Sequence, residues 1–535
     1  MNDRPVKKQS FLHGAAVLAM ATLVVKVIGM FYKIPLQNIV GNAGYGYFTT
    51  AYDIYSVLLM ISTTGLPVAM SRMISESQTL GHTAQIQKIF RTSLYAFLTL
   101  GLGGTLIMLL GAQWLAKDVM NSPGSWIAIL CLSPAVLFIC IISAFRGFFQ
   151  GQSNMSPTSV SQVFEALCKL IIGLALAYVF TRVFDDIPLG AGGAILGVTT
   201  GCVVAMLYLW AKYRRAVRGE AFQQGPVESG KATLKKLLSI AIPITLGAAG
   251  LQIINLVDAA LNMHRLLDGL HYSQEMADNL KGIYNFCQTI FNLPCAFITP
   301  ITISVIPAIT EHLTRQNRRG AKAVEDSALR MMGLISLPCA VGLAVLSGPI
   351  LQLLCGYEGQ DLQVGAGILA VLGITVVFNS LVLTTNAIMQ AHGDVKTPVV
   401  NMLIGGVVKV GVNYWLVGVE DVNILGAAIG TLCCYATITL LNLVAMRRLA
   451  TGGKFSFMKI LFRPLAAAAC MGLVAFFANR FLGNFVSSPS LTCLLSVAVG
   501  GLTYFVLVVV FKAITYEDCI LLPKGEKIAK ILRIR

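Results

Sequence analysis

The chain has 535 residues, is 56% hydrophobic and only 12% charged, whereas a soluble domain carries about a quarter charged residues. Apolar surface on this scale, sustained along the whole chain, excludes an ordinary soluble core and calls for many bilayer-spanning segments of about 20 residues. The formal net charge of +16 is read as orientation signal and lipid-headgroup contact rather than as a nucleic-acid footprint.

The apolar runs, such as Phe11 to Met30, Leu98 to Leu115 and Leu491 to Phe511, are continuous rather than alternating, so helices are expected in place of a closed barrel. The first follows Arg4, Lys7 and Lys8; it is long for a signal peptide and is read as a retained span. In chain order the spans fall near 11–37, 47–71, 90–113, 125–148, 157–181, 191–213, 237–262, 282–309, 329–354, 363–390, 397–417, 423–446, 458–480 and 491–512, about fourteen in all. Their connections alternate in charge. One set carries Arg72, Lys88 and Arg91, then Lys212 to Lys236, then Arg315 to Lys322, then Arg447 to Lys459, with Lys524 to Arg535 in the tail. The other carries Asp185, Asp186, Asp268, Glu275, Asp278, Glu358, Asp361, Glu420 and Asp421. Lys and Arg stay on the cytoplasmic side, so both termini are expected there, in a multi-pass protein of the cytoplasmic membrane.

The chain echoes itself at an offset of about 240 residues. Leu66-Pro67-Val68-Ala69 corresponds to Ile306-Pro307-Ala308-Ile309, Phe149-Gln150-Gly151 to Met389-Gln390-Ala391, and Lys169 to Lys409. The expected organisation is an N-lobe over 1–230 and a C-lobe over 231–450, six spans each, related as parallel repeats about an axis along the membrane normal. Residues 451–535 add two further helices and a basic tail.

Charges inside spans are costly and mark function by default, at about 2.5–3.5 kcal/mol for a mid-membrane lysine. Lys26 and Lys33 share one face of span 1. Glu165 and Lys169 lie one turn apart in span 5, Asp258 in span 7 and Lys409 in span 11. Each has a plainer reading. Glu165 and Lys169 are placed to neutralise each other as an i, i+4 pair. Lys33 is placed to snorkel to the headgroups. Asp258 is a charge partner for Lys33 or a cation or proton site. Arg72 and Arg146, near cytoplasmic helix ends, are as readily orientation charges as substrate contacts. Neither Lys26 nor Lys409 has a carboxylate one turn away in sequence, which favours function. Four lysines against two carboxylates suit an anionic cargo, with phosphate the commonest.

The segments RGFFQGQSNMSPTSVSQVFEALCKL (Arg146 to Leu170), GLPVAMSRMISE (Gly65 to Glu76) and KVIGMFYKIPLQNIVGNAGYGYF (Lys26 to Phe48) resemble the oligosaccharide-flippase branch of the multidrug/oligosaccharidyl-lipid/polysaccharide (MOP) superfamily, nearest the stage V sporulation protein B group. The resemblance covers essentially the whole chain. It implies a MATE-like pair of six-helix lobes with alternating access, and export of a polyprenyl-pyrophosphate-linked saccharide such as lipid II, with membrane lipid and cell-wall synthesis proteins as expected partners. It also implies that basic residues of span 1, here Lys26 and Lys33 where relatives typically carry Arg, meet the substrate. Lysine keeps the charge but loses bidentate geometry. The two extra helices resemble those that form a groove for the polyprenyl tail.

No GxxxxGK[ST] loop, metal-ligand spacing or catalytic constellation stands out, so no enzyme and no cofactor is expected; energy would come from the membrane potential or from Na+ or H+ as a coupling ion. The competing readings are a multidrug or cation antiporter of the same superfamily, a membrane glycan polymerase, and a membrane scaffold for cell-wall synthesis. The cationic interior and the two extra helices disfavour the antiporter. A polymerase would need a long external catalytic loop, and a scaffold has no use for midplane lysines.

Overall fold

The computed structural model describes residues 11–219, 226–449, 457–486, 488–511 and 513–514. Arg4, Lys7, Lys8, Lys454 and the tail from Lys524 to Arg535, which entered the orientation argument, lie outside them. The described residues contain helices and no strand. In chain order the long helices are α1 (Phe11–Thr63), α2 (Gly65–Thr79), α3 (Thr83–Leu110), α4 (Trp126–Gly151), α5 (Ser156–Arg182), α6 (Ile187–Gly219), α7 (Gly230–His264), α8 (Gln274–Thr314), α9 (Arg318–Val345), α10 (Gly359–Ala391), α11 (Lys396–Leu416), α12 (Leu425–Leu449), α13 (Phe457–Leu482) and α14 (Pro489–Val510). Among the described residues, eleven segments are long and apolar enough to cross a membrane, the first of them running from Met20 to Thr79. The protein is therefore all-α and multi-pass. Helices α7 and α8 cover the expected seventh and eighth spans but are not among the eleven.

The connection expected over residues 38–46 is a single residue. Gly41 alone leaves helical geometry, at φ 70° and ψ −175°. Along a straight helix Tyr32 and Phe48 would stand about 24 Å apart, yet their ring centroids are 5.9 Å apart. Helix α1 thus doubles back at Gly41 into two facing arms, residues 11–40 and 42–63. With φ 70° and ψ −175°, Gly41 occupies a region essentially reserved for glycine, where another residue is strained by about 1–3 kcal/mol, which makes it the fitting pivot.

The chain divides into two compact units, Met1–Gly282 and Ile283–Arg535. In the first, α4 packs on α1, α3 and α6, and α5 on α1 and α6. Its core holds Tyr32, Phe48, Phe97 and Phe148, all less than 2% exposed, and Phe90 stacks on Tyr213 at 4.3 Å. Helices α5 and α6 meet backbone to backbone: a Cβ on Gly197 would lie 2.4 Å from Gly173 Cα, and one on Gly201 would lie 2.9 Å from the Glu165 carbonyl oxygen. With its back pressed onto α6, α5 turns its charged residues towards α1 and α4. In the second unit α9 packs on α10 and α13, α12 on α10 and α11, and α14 on α13. Leu329, Met332, Ile388 and Met389 form one buried cluster there, and Met331, Leu334, Ala467 and Val508 another.

Candidate functional site

Within the first unit, α1, α4, α5 and α6 enclose a cavity of about 430 Å3 lined by Lys26, Arg146, Glu165 and Lys169 together with Tyr32, Tyr52, Tyr55, Gln162 and Cys202. Two arrangements organise its charges. The first is an ion pair between helices: Arg146 Nη2 of α4 donates to Glu165 Oε1 of α5 at 2.9 Å, with side-chain exposures of 12% and 24%. The guanidinium also donates from Nε and Nη2 to Ser161 Oγ, at 3.0 and 2.9 Å. Ser161 in turn gives its own proton to the Thr158 carbonyl at 2.7 Å, which leaves its oxygen lone pairs facing Arg146. The second arrangement holds Lys169. Its ammonium donates to Tyr52 Oη at 2.9 Å and lies 4.7, 4.6 and 5.6 Å from the ring centroids of Tyr32, Tyr52 and Phe48. Aromatic faces contribute about 2 kcal/mol to a desolvated cation but carry no net negative charge. The doubling-back at Gly41 builds this box, since Tyr32 comes from one arm of α1 and Phe48 and Tyr52 from the other. Lys169 also opens a π-helical turn, Lys169–Gly173, a distortion that recurs at functional sites.

Residues 11–313 match the family described as polysaccharide biosynthesis protein, more than half of the chain. The chain belongs to that family. Residues 279–415 also match the MatE family. The chain is 27% identical to the lipid II flippase MurJ of Bacillus subtilis (strain 168) over 92% of this chain and 94% of that protein. It is 24% identical to stage V sporulation protein B of the same organism over 96% and 98%. Its fold is similar to that of a lipid II flippase MurJ in an inward closed conformation, with TM-score 0.72, 15% identity and coverage of 94% of this chain and 100% of that one. It is also similar to an inward-facing multidrug resistance MATE family transporter of the MOP superfamily, with TM-score 0.67, 15% identity and coverage of 81% and 98%. The resemblance read from residues 146–170 and the MATE-like fold it implied therefore stand.

In this family member the residues picked from sequence fall into three groups. Lys26, Arg146, Glu165 and Lys169 come together on the cavity wall, with Lys26 exposed. The i, i+4 pairing of Glu165 with Lys169 is corrected: the carboxylate turns to Arg146, and the ammonium goes to Tyr52 and the rings. Helix α4 carries Arg146 to the cavity wall, where it pairs with Glu165. Lys33, Arg72 and Asp258 lie outside the lining. Lys33 is half-buried and within Coulombic range of Asp53 and Lys169. Arg72 is exposed; α2 buries Leu66, Ala69, Met70, Met73 and Ile74, and Arg72 falls off that stripe. Asp258 is buried in α7, 3% exposed. Lys409 belongs to the second unit, half-buried on α11 within Coulombic range of Tyr435.

Residues of the second unit at the 240-residue offset also contact one another. At that offset from Arg146, Ser161, Glu165 and Cys202 stand Asn386, Asn401, Gly405 and Asn442. Asn401 Nδ2 donates to Asn442 Oδ1, and Asn442 Nδ2 to Asn386 Oδ1 and Thr385 Oγ1, each at 2.8 Å. Where the first unit has an ion pair, the second has a neutral amide network.

Sequence reasoning missed Lys281. It is 4% exposed, donates to Thr50 Oγ1 at 2.7 Å, and lies within Coulombic range of Asp53 and Asp278. Asp278, assigned to a connection from sequence, is helical and 1% exposed, and accepts from Ser122 Oγ and Gln274 Nε2 at 3.1 Å each. The expected eighth span began at residue 282, which left both outside it. An Asp three residues before a Lys, on one face of a helix, was the available signal.

Proposed function

We propose that this protein is a flippase that exports a polyprenyl-pyrophosphate-linked saccharide, lipid II or a related polysaccharide precursor, across the cytoplasmic membrane by alternating access. The observation that carries this reading is the cavity, where Lys26, Arg146 and Lys169 stand against the single carboxylate of Glu165. That surplus, fixed beside apolar and aromatic walls, suits a compact multivalent anion. Lys169, held by a hydroxyl and ring faces, gains most when a phosphate oxygen arrives. The lipid II flippase named among its relatives supports the same substrate class. Lys409, Lys33 and Arg72 are proposed further contacts for the moving substrate, and both termini are placed in the cytoplasm.

Transport is driven by the membrane potential or by a Na+ or H+ gradient. Two negative charges moving outward across about 100 mV, interior negative, gain roughly 4–5 kcal/mol. The likeness in fold to a multidrug MATE transporter keeps a cation antiporter as the second reading; the sign of the cavity favours the first. The test is complementation: the gene is expected to support growth of a bacterium depleted of its lipid II flippase. Failure there with rescue of a capsule or teichoic-precursor export mutant would reassign the saccharide, and efflux of cationic drugs with neither rescue would favour the antiporter.

A further inference from the structure

The ion pair in the cavity wall bears on how cargo binding is balanced electrically. Arg146 is the only cation whose contact with Glu165 is an ion pair among the described residues. A phosphate oxygen competing for the guanidinium must displace that carboxylate or share its donors. The other titratable groups facing Glu165 are Lys26, Tyr52 and Tyr55 of α1, Cys202 of α6 and, on its own helix, Lys169. Of these only the two lysines are cationic, and the Lys169 ammonium is engaged by Tyr52 and the ring faces. A half-buried carboxylate that loses its cation reaches neutrality most readily by taking a proton. A candidate acceptor for that proton lies one helical turn away. Gln162 Oε1, on the same helix three residues before Glu165, lines the same cavity, is buried and accepts no hydrogen bond.

We propose that cargo binding is coupled to proton uptake at Glu165: an anionic oxygen of the cargo takes Arg146 from Glu165, and the released carboxylate binds one proton from the aqueous phase, which it donates to Gln162 Oε1. No covalent bond other than the carboxyl O–H forms, and the complex carries one negative charge fewer than cargo binding alone would give. This rests on the reading of the cavity as an anion site.

The experiment is calorimetric titration of the purified protein in detergent with farnesyl pyrophosphate at pH 6.5, 7.5 and 8.5, each in two buffers of different ionisation enthalpy: PIPES and imidazole at the lower two, tricine and Tris at the highest. The wild type is expected to take up close to one proton, and its affinity to fall with rising pH, by up to about tenfold per unit in the limit of one proton. Ionisation of the ligand's own phosphate works in the opposite direction, so it does not mimic this sign. Glu165→Gln keeps an oxygen for Arg146 but has no charge to lose. It is expected to bind about three- to tenfold more tightly at pH 8.5, roughly 0.7–1.4 kcal/mol, with proton uptake abolished. Binding by the wild type without proton uptake, as when Lys169 swings over to Glu165 instead, overturns the coupling and leaves the anion site standing. Uptake that persists in Glu165→Gln assigns the proton elsewhere and also overturns it. No binding at any pH overturns both the coupling and the anion site.

Discussion

Lys169 and Lys409 look equivalent in sequence, and with Glu165 one turn from Lys169 the sequence alone predicts that Lys409 is the more consequential lysine. We propose the opposite order, because Glu165 is committed to Arg146 and Lys169 is held by aromatic faces on the cavity wall. Lys169→Ala is expected to lower flipping in reconstituted vesicles by at least about tenfold, the rate equivalent of 1.4 kcal/mol. Lys169→Arg, which keeps the charge, should retain most activity. Full transport by Lys169→Ala would remove the anion-site reading of this cavity. The amide network of the second unit predicts an effect on stability instead. Asn442 is 0% exposed and serves Asn401, Asn386 and Thr385 at once. Asn442→Leu should strand buried polar groups at about 1–3 kcal/mol each and lower the thermal midpoint in detergent; an unchanged midpoint would mean the network is dispensable.

At the scale of elements, two glycines do different work and should respond differently to the same substitution. Gly41 has open space around a would-be Cβ but φ 70° and ψ −175°, so Gly41→Ala meets backbone strain alone, about 1–3 kcal/mol. Gly197 has helical geometry, but its Cβ would sit 2.4 Å from the Cα of Gly173, a backbone atom that yields only if α5 and α6 separate. Gly197→Val is therefore expected to cost more stability than Gly41→Ala and to misplace Glu165 and Lys169. The readouts are thermal midpoint and transport for both variants; equal, small effects would contradict the close helix contact. The helices themselves were legible as apolar runs. The reversal at Gly41 falls inside the connection expected over residues 38–46; what the sequence did not show is that a single residue makes it and that helix continues on both sides. The π-helical turn at Lys169–Gly173 also has no compositional signature, since residues 169–173 read as ordinary span.

For the whole molecule, the charge alternation predicts that reporters fused after Arg535 read as cytoplasmic and that one inserted at His271, ahead of the buried Asp278, reads as external. A cytoplasmic reading at His271 would break the assignment of sides. Transport in proteoliposomes is expected to proceed without ATP and to slow when the potential is collapsed; stimulation by ATP hydrolysis would exclude a gradient-driven mechanism. The sequence by itself determined the all-helical membrane architecture, because a bilayer permits little else for uninterrupted apolar runs of this length, and it determined the family through the segment from Arg146 to Leu170. It also picked out Lys26, Arg146, Glu165 and Lys169, because charge is conspicuous in apolar surroundings. Only the tertiary structure decided which of these meet. Glu165 had a cation one turn away in sequence and another 19 residues away, and local spacing favoured the nearer. The glycine contact between α5 and α6 set the rotation of α5, the doubling-back of α1 supplied aromatic faces for Lys169, and α4 brought Arg146 within 2.9 Å of the carboxylate. Lys281 shows the same limit from the other side: a lysine at the edge of an apolar run reads as solvated until the chain packed against it, with Thr50 as hydrogen-bond acceptor, shows it to be buried.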